Sequence, residues 1–450
     1  MKKTITILLL ISLSIAGFAQ DITGYWKGKL NVSGTELEIC FDIVNDATGY
    51  IVKMDIPSQG ARYIPVDEAS FEMMTLKLKI NKLNVTYEGK LLMNSIIGEF
   101  QQSGIKFPLN LTKGEKEVTL RPQNPKEPYP YKSEEVKFKN MKEGITLAGT
   151  ITIPAGNGPF PAVVLISGSG TQNRDEELMG HKPFLVISDY LTRNGIAVLR
   201  YDDRGAGESE MSAEPGTTMD LSYDAEAAFD YLKSRVDINK SKIGLIGHSE
   251  GGIIDFIIAS RRSDVSFIIA LAGPSVRGDK LLSAQQKKML ENQGAPAQYV
   301  NSITNMYDKI YSEIEKYDEI TPELQSNLES ILSSSGMPQA TIKQTVGAFI
   351  EPWMFYFLKY DPNEVIINTQ CPALLLNGTK DQQVVASQNL PVYKNIAAEN
   401  GKKNMEIREL EGLNHLFQNC KTGSISEYMT IEETISENVL EIIKNWILTI

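Results

Sequence analysis

The chain has 450 residues, and its 45 Lys and Arg against 56 Asp and Glu leave a formal net charge of −11. That acidic balance excludes nucleic acid as the expected partner, because phosphate binding wants a basic surface. Three cysteines, Cys40, Cys371 and Cys420, are too few and too scattered for a disulfide scaffold or a zinc site. Cys371 and Cys420 fall in one expected domain, and their spacing leaves pairing open.

In chain order, Lys2 and Lys3 precede an apolar run from Ile5 to Ile15 that ends in the small residues Ala16, Gly17 and Ala19. Residues 1–19 therefore read as a signal peptide cleaved before Gln20, and the protein is expected to be periplasmic or secreted. No cysteine follows to take a lipid anchor, and no later run reaches membrane-spanning length. Residues 20–114 read as an all-β domain, a sandwich or small barrel: Leu37, Ile39, Phe41 and Ile43 alternate with polar neighbours, and turns are signalled at Asn45-Asp46, Gly49, Gly60 and Gly104. Trp26-Lys27-Gly28-Lys29-Leu30 is echoed by Tyr87-Glu88-Gly89-Lys90-Leu91, which suggests two comparable edges of one sheet. Residues 115–132, with Pro122, Pro125, Pro128 and Pro130, have the stiff backbone of a domain linker.

From 133 to 450 the pattern becomes that of a doubly wound α/β domain. Ile145, Leu147, Ile151 and Ile153 read as a half-buried hairpin, and short apolar runs then recur at Val163 to Ile166, Ile196 to Leu199, Ile243 to Ile246, Phe267 to Leu271 and Ala373 to Leu376. Helix-length segments separate most of them, as buried parallel strands require. Between about 278 and 360 the alternation gives way to helical patterns such as Leu281 to Asn292 and Gln298 to Tyr317. Inserted between two strands, they are expected to cap the carboxyl edge of the sheet, with Trp353, Phe355, Tyr356 and Phe357 as candidates for a pocket roof. Ile431, Ile435, Val439, Ile442, Ile443 and Trp446 make one stripe for a last helix.

Directly after the run Ile243 to Ile246 stands Gly247-His248-Ser249-Glu250-Gly251-Gly252, followed by a helix-compatible stretch. Strand, tight turn and helix are the context a nucleophile elbow needs, since flanking glycines let the backbone turn sharply and expose the serine hydroxyl. A serine needs a base, and the chain offers three histidines. His248 adjoins Ser249 and is expected to point away from it, and His181 precedes it. His415 alone follows, as the order Ser, acid, His demands. Asp381, four residues past the run that ends at Asn377, is the expected acid, with Asp361 its rival and Asp255 a supporting or merely tolerated residue. Acyl transfer also needs oxyanion donors. These are expected from the Glu250 N–H and from the Ser169 N–H in Ser167-Gly168-Ser169-Gly170, with Gly170 as the alternative; that run lacks the Gly-Lys-Ser/Thr of a phosphate loop.

With these segments the chain resembles the α/β-hydrolase esterases, specifically exported bacterial carboxylesterases with a β-rich N-terminal domain. The resemblance also runs through Arg174-Asp175-Glu176, His181-Lys182-Pro183-Phe184, Arg200-Tyr201-Asp202-Asp203-Arg204-Gly205, Lys380-Asp381-Gln382-Gln383-Val384 and Asn414-His415. It implies a helical cap, no cofactor or metal, and a small-molecule ester of a short acyl group as substrate. It also makes Arg174, Asp175 and His181 candidates for shaping the loop beside the oxyanion hole, and Gly170, Arg174, His181 and Trp353 are the expected substrate-binding residues. A serine peptidase or thioesterase would use the same triad, and a carbohydrate-binding protein with a vestigial hydrolase domain is the reading from another class.

Overall fold

The structure, a computed structural model, describes residues 21–450 except 33–34, 47–48, 58–60, 117–119 and 214–215. The expected signal peptide and the Gly60 turn lie outside the described residues. The chain divides into two compact units, Met1–Val118 and Thr119–Ile450.

Among the described residues of the first unit, period-two patterning produces nine strands: β1 (Gly24–Val32), β2 (Thr35–Asp46), β3 (Gly49–Ile56), β4 (Ala61–Pro65), β5 (Glu68–Glu72), β6 (Thr75–Ile80), β7 (Val85–Leu92), β8 (Ser95–Gln102) and β9 (Ile105–Gly114). They form one antiparallel sheet in the order β4-β3-β2-β1-β9-β8-β7-β6-β5. Phe41 on β2 and Tyr87 on β7 stand four strands apart in that order, which in a flat sheet means roughly 19 Å. Their ring centroids are 5.5 Å apart. The sheet therefore curls on itself as a half-barrel, around a core of Trp26, Phe41, Tyr87, Phe100 and Leu109, and is not a two-sheet sandwich. The echoed segments lie on β1 and β7, interior strands and not edges. Their glycines have a steric reason: a Cβ on Gly28 would meet the Asn110 carbonyl at 2.3 Å, and one on Gly89 the Tyr87 hydroxyl at 2.5 Å.

The stretch expected as a linker, 115–132, is in large part held by the second unit. Arg121 donates to the carbonyls of Met179, Met429 and Ile431, while Gln123 donates to Ile435 O and accepts from the amides of Thr434 and Ile435. Side-chain amide and guanidinium groups thus satisfy loop backbone that no strand or helix pairs.

The second unit contains β10 (Lys132–Lys139), β11 (Thr146–Ile153), β12 (Phe160–Ile166), β13 (Ala197–Tyr201), β14 (Ile238–His248), β15 (Phe267–Leu271), β16 (Ala373–Gly378) and β17 (Met405–Leu410). Their order is β10-β11-β13-β12-β14-β15-β16-β17; the pairings from β13 through β17 are parallel, and the β10–β11 hairpin runs antiparallel at one edge. Both faces are covered, as an all-apolar run such as Ala162 to Ile166 requires. On one side α1 (Pro183–Arg193) contributes Phe184, Ile187 and Leu191. On the other, α2 (Thr218–Ser234) contributes Ala225, Phe229 and Leu232. Next to α2, α3 (Glu250–Arg261) leaves the end of β14.

Five helices, α4 (Gly278–Asn292), α5 (Ala297–Ile314), α6 (Pro322–Ser333), α7 (Gln339–Phe349) and α8 (Pro352–Lys359), fill the segment after β15. They have their own apolar core, including Ile310, Leu324, Leu328 and Val346. The short α9 (Asn363–Asn368) leads into β16, α10 (Ala386–Glu399) precedes β17, and α11 (Ile425–Tyr428) and α12 (Glu437–Thr449) close the chain. Ile431 and Ile435 lie before α12, so the last helix is shorter than its apolar stripe. No helix among the described residues is long and apolar enough to cross a membrane.

Candidate active site

Strand β14 hands directly to α3 through Ser249, whose backbone sits at φ 54°, ψ −119°. A residue with a side chain is costly there, by about 1–3 kcal/mol, and persists only where its surroundings enforce it. The enforcement is visible: a Cβ on Gly247 would lie 2.1 Å from the Gly251 backbone, and one on Gly251 would lie 2.2 Å from the Ile166 carbonyl. The Ser249 amide donates to Leu271 O at 2.8 Å, and its hydroxyl makes no capping bond to α3. Ser249 therefore stands at the N-terminus of a helix with its hydroxyl uncommitted among the described residues, half-buried in a cavity of about 260 Å³.

His415, from the loop after β17, lines the same cavity. Its Nδ1 lies 2.8 Å from Asp381 Oδ2, and the acid is fixed in turn: Oδ1 accepts from the amides of Gln383 and Val384 at 2.8 and 2.9 Å, and Oδ2 accepts from Asn377 Nδ2 at 3.0 Å. A buried carboxylate held this way accepts a hydrogen bond from Nδ1–H, which fixes the tautomer and leaves Nε2 as the nitrogen with the free lone pair. Every one of these groups follows the carboxyl end of a strand: Ser249 after β14, Asp381 after β16, His415 after β17. Asp361, the rival acid, is exposed and caps the Asn363 amide. Asp255 lies under the elbow, where its Oδ2 accepts from Gly247 N–H at 2.7 Å and complete burial raises its pKa well above the usual carboxylate value.

The loop after β12 supplies Gly168 and Ser169 to the cavity. The Gly168 amide is taken by Glu176 Oε1 at 2.8 Å, whereas the Ser169 amide has no partner among the described residues. Glu250 opens α3, so its own amide is among those a helix leaves unpaired. Its side chain is a buried carboxylate that accepts from Ser169 Oγ (2.8 Å), Thr218 Oγ1 (2.6 Å) and Trp353 Nε1 (2.9 Å). Burial raises its pKa against those three donors. Trp353, stacked on Phe357 at 5.2 Å, thereby joins helix α8 to the elbow. Leu281, Leu282, Phe357, Val384 and Leu416 complete an apolar lining, and no Lys or Arg lines the cavity among the described residues.

Four sequence candidates are not brought to this cavity. Gly170, at φ 95°, lines a neighbouring one with Met211 and Leu221. Arg174 is engaged with Asp202, Glu135 and Thr150, and Asp175 pairs with Arg200 and Lys182. His181 is fully buried, its nitrogens facing Thr434 Oγ1 and Tyr428 O, and burial pushes its pKa down to about 4. Two residues were overlooked as partners. Glu176, the third member of the Arg-Asp-Glu segment, and His248 are both buried against the cavity, at 5% and 7% exposure. All three cysteines are free.

Residues 183–321 match the family model described as serine aminopeptidase, S33. Esterase EstD of Thermotoga maritima is 31% identical over 302 residues, 67% of this chain, and the chain spans 65% of that relative's length. An uncharacterised 31.7 kDa protein of Escherichia coli is 24% identical over 57% of this chain and 85% of its own. Among solved structures, the Pyrococcus furiosus esterase Pf2001 superposes with a TM-score of 0.45 at 14% identity, covering 71% of this chain and 91% of that one. The strand order, which places the elbow at the centre of a doubly wound sheet, is that of the α/β-hydrolase fold, and in sequence the chain is similar to EstD.

Proposed function

We propose that the chain is an exported serine esterase that hydrolyses small, uncharged carboxylic esters. The observation that carries the reading is the uncommitted Ser249 hydroxyl sharing a cavity with His415, whose Nδ1 is bound by the buried Asp381. Ser249 Oγ attacks the ester carbonyl as His415 Nε2 takes its proton, forming a tetrahedral oxyanion that the Glu250 and Ser169 amides face. The C–O bond to the leaving group breaks as His415 returns the proton to the departing alcohol. Water then repeats the sequence on the acyl-enzyme and frees Ser249. Helices α4 and α8 serve as a cap, with Trp353 bounding the acyl side. A cavity of about 260 Å³ favours a short acyl group, being smaller than the roughly 300–1,000 Å³ of drug-sized sites.

The family description favours a second reading, an aminopeptidase. Such an enzyme needs free carboxylates to hold a substrate ammonium. Besides Asp381, the acids beside Ser249 are Glu250, which accepts from three side chains, and Glu176, which is paired with His248. Glu250 is spent inside the protein, and Glu176 is held through Oε1 by the Gly168 amide and His248 with its Oε2 buried, which supports the ester reading. The test is hydrolysis of p-nitrophenyl esters from acetate to decanoate beside a panel of aminoacyl p-nitroanilides. Turnover of short esters that Ser249→Ala abolishes is expected; activity confined to the anilides would make the chain a peptidase.

A further inference from the structure

His248 is buried, yet both of its ring nitrogens have a partner. Nε2 lies 3.0 Å from the carbonyl oxygen of His415, and Nδ1 lies 2.9 Å from Glu176 Oε1. A carbonyl oxygen only accepts, so Nε2 carries a hydrogen. Glu176 Oε1 already accepts from the Gly168 amide, which marks it as the unprotonated oxygen, so Nδ1 donates to it as well. A ring that donates at both nitrogens is an imidazolium. Burial opposes that charge, but the Glu176 carboxylate and its hydrogen bond, the His415 carbonyl and the more distant Asp381 outweigh it and raise the His248 pKa. The Glu176 Oε2 atom is buried with no partner among the described residues, so the carboxylate's ties run through Oε1. Glu176 holds this place at φ 49°, a left-handed conformation that residues with side chains rarely adopt.

We infer that Glu176 and His248 are a positioning pair: one carboxylate ties the start of the oxyanion loop, at Gly168, to the main chain of the base His415 through the His248 ring. The cradle for the oxyanion and the proton acceptor are thereby set in one frame. The two imidazoles pack against each other in a tilted arrangement in consequence, their centroids 4.7 Å apart and their planes inclined by 45°. A Cβ on Gly168 would come within 3.1 Å of Ser249 Cβ, so small displacements of this loop are felt at the nucleophile. This role rests on Ser249 and His415 being the reacting groups of an esterase.

The experiment compares p-nitrophenyl butyrate kinetics of the wild type, Glu176→Gln, His248→Ala and His248→Gln, with imidazole ¹⁵N NMR on the same proteins. The chain has three histidines, so the ring signals can be assigned by substitution. In Glu176→Gln and His248→Ala, kcat is expected to fall about 10- to 100-fold with KM within about two-fold, the size of loss that misplacement by supporting residues brings. His248→Gln, which keeps a donor for the His415 carbonyl, is expected to recover part of the loss. In the wild type both His248 nitrogens stay protonated at neutral pH, and Glu176→Gln abolishes that signature. Unchanged kcat in both variants, or a neutral His248 ring in the wild type, overturns the pair alone. A wild type without ester turnover removes the esterase reading and the pair's catalytic role with it.

Discussion

The two sheets carry backbone strain and charge in opposite ways. In the half-barrel, Met73, Met93 and Ser103 take positive φ at hairpin turns, and the two methionines are 93% and 89% exposed. Most of its ion pairs among the described residues, such as Lys79–Glu68 and Lys106–Glu99, stand in solvent, Lys116–Asp42 being the part-buried one. In the eight-stranded sheet, positive φ falls on Ser249 and Glu176 beside the cavity, and the pairs Asp381–His415, Glu176–His248 and Asp224–Arg204 are buried. Strain at a turn merely closes a hairpin. Strain and buried charge at the carboxyl edges of parallel strands have to be enforced by their surroundings, which marks that edge as the place of function.

Substitutions sharpen the contrast. Asp381→Asn should have the largest effect after loss of the nucleophile itself, because an amide no longer selects the His415 tautomer; kcat is expected to drop by about 10³- to 10⁴-fold with KM little changed, measured on p-nitrophenyl butyrate. Trp353→Phe keeps the stack on Phe357 but removes one of three donors to the buried Glu250. Leaving that carboxylate short of a partner should cost about 1–3 kcal/mol in denaturant unfolding. In Trp353→Phe combined with Glu250→Gln the two losses should be less than additive.

A pH series tests the buried charge directly. Burial pushes Asp203 up to about 7, against the hydrogen bonds it accepts from Ser167 Oγ and the Gln172 amide. A carboxyl whose folded pKa exceeds its unfolded one binds its proton more tightly in the folded state. Its stabilisation is therefore present below about pH 4 and is lost as pH rises toward 7, by about 1.4 kcal/mol per unit at most. Asp203→Asn should flatten that part of the stability profile; an identical slope in the variant would falsify the burial argument. At the small end, Lys79→Ala in the half-barrel should change stability by less than about 0.5 kcal/mol, since its partner Glu68 is largely solvated.

Much of the site was legible from the chain because its parts are local. The elbow needs glycines two before and two after a serine between an apolar run and a helix, and all of that falls within Ile243 to Ser260. His415 and Asp381 followed from chain order and from the scarcity of histidines. Edge strands were harder to see. β17 carries Glu406, Arg408 and Glu409, and five of its six residues are only half-buried or exposed on a sheet edge with no apolar run to announce it. Roles created by distant contacts were invisible: nothing near Glu176 tells that it meets His248 72 residues later, or that Trp353 reaches back to Glu250. The curl of the half-barrel was equally hidden, because it depends on which strands meet across it and not on their alternation.

The most direct test of the central claim is active-site labelling with a p-nitrophenyl alkylphosphonate, read by released nitrophenol and by mass spectrometry of the peptides. The account predicts one equivalent per chain, bound to Ser249, with labelling suppressed in His415→Ala. Label on another residue, or ester turnover that persists in Ser249→Ala, would contradict it.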